Sequence, residues 1–104
     1  MNKQRVSTWI DGHFTDQVEM LKFLVQTPSD NPPVICTPHA LLTAEWLNNL
    51  GLEVEVLTVP DDVVHAAGMR SATNLIVRHR FGPGPIVALN AHGDVVPPGG
   101  GWSK

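Results

Sequence analysis

Two side chains suited to chemistry stand two residues apart near the end of the chain. They are His92 and Asp94, in the run Asn90-Ala91-His92-Gly93-Asp94-Val95-Val96-Pro97. Neutral imidazole is a good zinc ligand, and a carboxylate on its other nitrogen fixes the tautomer and raises its basicity. In extended chain, residues two apart point to the same side, displaced by about 6.6 Å at ~3.3 Å per residue. Gly93 lets the backbone bend and bring the two closer. His-x-Asp is common by chance, so the spacing alone equally describes a polar hydrogen-bonded strand end. Position adds weight: the pair directly follows a strand read as buried, and ligands of open α/β sheets bind beyond the carboxyl ends of strands.

The other candidates read as ordinary residues. His13, His39 and His65 have no carboxylate or thiol at ligand spacing, and His79 sits between Arg78 and Arg80. Cys36 has no evident basic partner, so a small buried thiol is expected rather than a nucleophile. Asp61 and Asp62 are adjacent and diverge, which describes a solvated turn. Trp102, beside the terminal glycines, reads as packing.

The elements that must position His92 follow from periodicity. Phe14, Val18, Leu21 and Val25 recur at spacings of four, three and four. That predicts an amphipathic helix over residues 14–26, its apolar stripe facing a core and Thr15 as N-cap. Pro28 ends it, and Pro28, Pro32 and Pro33 keep the next stretch an ordered loop. A second helix is expected over residues 38–49, with Thr37 as cap, Pro38 in the first turn and Gly51 supplying the left-handed exit. Acidic and apolar residues alternate over 53–59, the pattern of a half-buried strand. Residues 61–71 read as a loop with a short turn. A second strand is expected over 74–80, then a Gly-Pro turn, then a third strand over 85–91 paired antiparallel with it. Ile86, Val87, Ala88 and Leu89 are apolar on both faces, which predicts a central strand covered on both sides.

Length and composition narrow the class. At 104 residues the chain makes one small domain. Apolar residues are 42% and charged residues 16%, against roughly 25% charged in an average domain, so a disordered tail is excluded. The net charge is −3 with seven scattered Lys and Arg, which lacks the basic stripe that nucleic acid requires. A lone cysteine forms no intrachain disulfide. The apolar run at 86–89 is far short of the ~20 residues that span a bilayer. A soluble, cytoplasmic protein without nucleic-acid or membrane partners is expected.

The wording of the His92 segment carries a resemblance. Residues 89–99, Leu89 through Gly99, then Gly101-Trp102, resemble the first metal motif of a zinc metallopeptidase family. Acetylornithine deacetylase, succinyl-diaminopimelate desuccinylase and glutamate carboxypeptidases belong to that family. Pro28-Ser29 with Asn31-Pro32-Pro33 resembles its loop after the first helix, and Asn74-Leu75 before Val77-Arg78 resembles its second strand. The resemblance implies that His92 ligates one of two zinc ions (cobalt being a substitute) and that Asp94 is the catalytic-site aspartate orienting it. It implies metal-assisted hydrolysis of an amide bond in a peptide or N-acyl amino acid, with a homodimer as the full-length form. The bridging aspartate, general-base glutamate and remaining ligands lie later in family members and have no counterpart here.

The expected fold is therefore α/β: the N-terminal part of a mixed β-sheet flanked by helices, a zinc-peptidase-like catalytic domain that is incomplete within residues 1–104. Such a piece is expected to be inactive alone. The competing expectation is a non-catalytic truncated domain that binds a protein partner through its open sheet edge.

Overall fold

The computed structural model describes residues 2–32 and 35–102. Met1, Pro33 of the proline-rich loop, and Ser103 and Lys104 of the terminal run lie outside the described residues. The elements follow in the order α1 (Lys3–Gly12), α2 (Phe14–Gln26), α3 (Thr37–Asn49), β1 (Val54–Thr58), α4 (Asp61–Ala66) and β2 (Thr73–Val77). The class is α/β, with one two-stranded antiparallel sheet among the described residues.

α1 was not expected. Asn2 caps it, its side-chain oxygen accepting the Arg5 N–H at 3.2 Å, and Lys3, Gln4 and Arg5 are good helix formers. It ends at Gly12. His13 then stacks on Trp9 with ring centroids 4.0 Å apart, and its Nδ1 lies 2.7 Å from the Trp9 carbonyl. His13, not Thr15, occupies the N-cap of α2, and it makes no side-chain capping bond.

α2 has the expected bounds but turns a different face inward. Of the expected stripe, Phe14, Leu21 and Val25 are exposed and only Val18 is half-buried, alongside Met20, Phe23 and Leu24. Phe23 meets Trp46 of α3 with ring centroids 5.1 Å apart. α2 carries apolar residues around most of its circumference, so periodicity offers more than one stripe, and contact with α3 selects among them.

α3 starts one residue earlier than expected, with Cys36 at the N-cap. Its first turn is capped from outside: the Thr37 N–H donates to Ser71 Oγ at 3.3 Å, and the Thr37 and Thr73 hydroxyls meet at 2.9 Å. The exit follows the glycine expectation. Gly51 has φ +84°, its N–H donates to Asn48, and the Leu52 N–H donates back to Leu47, the paired bonds of a Schellman turn. Gly68 at φ +78° ends α4 in the same way, its N–H on His65 and that of Met69 on Val64. α4 occupies most of the stretch read as a loop, with Asp61 and Asp62 exposed in its first turn, where acidic side chains favour the helix dipole.

β1 and β2 pair with Val54 opposite Val77 and Thr58 opposite Thr73. Arg78 donates to Glu55 just beyond that ladder. α3 packs on both strands. It buries Ala40 and Ala44, whose small side chains let backbones approach closely.

The third strand does not form. β2 pairs with β1, and residues 85–91 carry no ladder. Ile86 is 96% exposed and Leu89 94%. A strand apolar on both faces needs a neighbouring edge and two covering layers, and among the described residues none reaches it. Among the described residues, the buried apolar ones are Ala40, Ala44 and Val64. The radius of gyration is 16.7 Å, against about 13 Å for a compact chain of this length. Among the described residues, no helix is long and apolar enough to cross a membrane.

Candidate functional site

The structure brings the two predicted site residues together. His92 Nδ1 lies 3.0 Å from Asp94 Oδ1 and 2.9 Å from the Asp94 carbonyl oxygen. Both neighbours are acceptors when the carboxyl is ionised, so Nδ1 carries the proton. In the neutral ring Nε2 then keeps its lone pair. The His92 side chain is 85% exposed, that of Asp94 36%. This is the tautomer and carboxylate support that a metal-binding imidazole needs.

The segment is held by the loop after α2. The Val95 N–H donates to the Ser29 carbonyl at 3.1 Å, and the Asn31 N–H donates to the Val95 carbonyl at 2.6 Å. Asp30 and Val95 thereby form a parallel bridge. The Ser29 hydroxyl, buried to 5% exposure, donates to the Gly93 carbonyl at 2.7 Å. Asn31 Nδ2 donates to Asp94 Oδ2 at 3.0 Å. Each carboxylate oxygen of Asp94 thus has its own partner.

The Asn31 amide is the largest influence and holds the Asp94 carboxyl below the ordinary aspartate range; desolvation, second in size, opposes it, and the His92 hydrogen bond adds a smaller lowering. Cys36 is pushed the other way. Burial first, and the Asp94 charge second, raise its thiol, and its Sγ lies 3.9 Å from the Ser29 carbonyl. A raised thiol is a poor nucleophile, but Cys36 is half-buried rather than the buried thiol expected.

Three residues of this cluster were not read as site residues from the sequence: Ser29, Asn31 and His39. A Cβ added at Gly93 would lie 3.3 Å from two atoms of the His39 ring, so that imidazole packs directly against the glycine between His92 and Asp94. The run Pro28-Ser29-Asp30-Asn31-Pro32 was the available signal for the first two, since small polar side chains between prolines are presented on a restricted backbone. His39 had none: its partner is 54 residues away. Trp102 is exposed, and its Nε1 donates to the Pro98 carbonyl at 2.7 Å.

Among the described residues, no group of three His, Cys, Asp or Glu side chains converges as a metal centre would require. His92 fits one ligand position and Asp94 its orienting carboxylate. They do not make a complete set. Comparison with known protein families, curated proteins and solved structures finds no match for this chain.

Proposed function

We propose that this chain is the N-terminal portion of a zinc-dependent metallohydrolase domain that cleaves an amide bond of a peptide or N-acyl amino acid. One observation carries the reading: Asp94 holds Nδ1 of His92, a side chain that is otherwise exposed, so that in the neutral ring Nε2 is the nitrogen left for a metal. The resemblance of residues 89–102 to the metal motif of a zinc metallopeptidase family supports it. So does the unpaired apolar stretch at 86–89, which has the character of an inner strand of a larger mixed sheet.

Zinc at such a site supplies Lewis-acid activation of water and of the amide carbonyl. His92 would hold it and Asp94 would orient His92. Zinc sites use three or four protein ligands, so on this reading the others, and the general base, come from polypeptide outside these residues. No proton transfer in the hydrolysis is assigned to the described side chains. These 104 residues alone would bind zinc weakly and hydrolyse nothing.

The test is addition of cobalt(II) to the isotopically labelled chain, followed by NMR. His92 is expected to broaden before His13, His65 and His79, and His92→Ala is expected to abolish the preferential effect. Equal broadening of all exposed histidines would remove the metal reading.

A second reading has its own observation. The two-stranded sheet has open edges, and unpaired edges recruit strands. A non-catalytic domain binding a protein partner there predicts a cooperative melt for the isolated chain and a partner footprint on β1 or β2 rather than around His92.

A further inference from the structure

We propose that Asn31 is a positioning residue for His92, acting through Asp94; the proposal rests on the reading of His92 as a metal ligand. A carboxylate beside an exposed histidine can rotate about its side-chain bonds and expose either oxygen. Here one oxygen is taken by the Asn31 amide at 3.0 Å, and the other faces His92 Nδ1 at 3.0 Å. Asn31 therefore fixes the carboxylate plane, and the carboxylate joins the Asp94 main-chain carbonyl in holding the proton of the neutral imidazole on Nδ1. The tautomer with Nε2 free is the one that can bind a metal through its exposed edge.

The backbone that carries Asn31 does not depend on its side chain. The Val95–Ser29 and Asn31–Val95 main-chain bonds flank Asp30 just before it, the second through Asn31's own N–H, and the Ser29 hydroxyl adds a third tie through Gly93. The amide is thus aimed from a fixed platform, 63 residues away in sequence from its acceptor. Asn31 touches neither substrate nor the free Nε2 edge in this role. Its effect passes through Asp94 alone.

Long-range proton–nitrogen NMR of the labelled chain, at a pH where imidazole is neutral, reads the tautomer of each histidine directly. In the wild type, His92 is expected to be mainly Nδ1–H. In Asn31→Asp, which keeps the size but replaces the donor by an acceptor, His92 is expected to lose that majority while the Val95 amide keeps its exchange protection. Asn31→Ala is expected to act in the same direction. A wild-type His92 that is not mainly Nδ1–H overturns the proposal without any variant. An unchanged tautomer in both variants overturns it as well. Cobalt(II) added to the same samples separates the two ideas: a tautomer loss on substitution without selective broadening of His92 leaves Asn31 its role and removes the metal reading.

Discussion

The hydroxyl of Ser29 donates to the carbonyl of Gly93 at 2.7 Å, across 64 residues of sequence, from a residue that is only 5% exposed. This bond ties the loop after α2 to the segment that carries His92 and Asp94. Removing a buried partner leaves an acceptor unpaired, so Ser29→Ala is expected to cost about 1 kcal/mol. Chemical denaturation checks it: the midpoint falls while the denaturant slope stays unchanged.

Gly93 is restricted by its neighbour rather than by its backbone. A Cβ there meets the His39 ring at 3.3 Å, close enough that the ring must yield by a few tenths of an ångström. Gly93→Ala is expected to destabilise by about 1 kcal/mol, at the low end of overpacking. His39→Ala in the same chain should recover most of that loss. A double-mutant cycle on denaturation midpoints measures the coupling, and additive effects would mean that the two do not touch.

The Asp94 carboxyl is held below its ordinary value in the folded state, chiefly by Asn31. A folded pKa below the unfolded one means that the unfolded chain binds more protons in that range. The resulting stabilisation is complete above the unfolded value, about 3.9, and is lost as the pH falls through the lower folded value. Stability curves of the wild type and Asp94→Asn should therefore run parallel near neutrality and converge only in acid. Divergence that begins near neutral pH would point to another group.

Gly51 stands at φ +84° in the exit of α3, while Gly82 has no positive φ and open space around its Cβ position. Gly51→Ala is expected to cost about 1 kcal/mol, the steric penalty of a left-handed residue. Gly82→Ala serves as the control and is expected to be near neutral. Thermal melts of the two variants distinguish a conformational cost from a general intolerance of added methyl groups.

Ile86 and Leu89 are almost fully exposed. Changing each to Lys is expected to move the stability of the isolated chain by no more than about 0.5 kcal/mol, the usual range for surface positions. In a longer polypeptide that places residues 86–89 inside a sheet, the same changes bury charge and are expected to abolish folding. Comparing melts of the two forms tests directly whether this stretch is an inner strand.

Local signals in the chain proved informative where their causes were local. The span of α2, the proline-bounded loop, the left-handed exit at Gly51 and the cores of β1 and β2 depend on residues within a few positions of one another. The His92–Asp94 hydrogen bond belongs to the same class, because two residues separated by one glycine can meet without help from the rest of the fold. α1 shows the limit of that reading: its Asn2 cap and the Val6, Trp9 and Ile10 stripe are local signals too, but they lie in a run whose average character is polar.

Sequence by itself thus determined the α/β class, most element positions and the pair of side chains at the centre of the candidate site. Tertiary structure alone decided which face of α2 meets Trp46, that β2 pairs with β1 rather than with residues 85–91, and that Ser29, Asn31 and His39 gather around Gly93 and Asp94. The physical reason is separation along the chain. Turns, caps and periodic faces are set by neighbours a few residues away, whereas strand pairing and site assembly depend on which distant surfaces close on one another. The apolar stretch at 86–89 shows the difference: its composition specifies a strand, but only a partner edge can make it one.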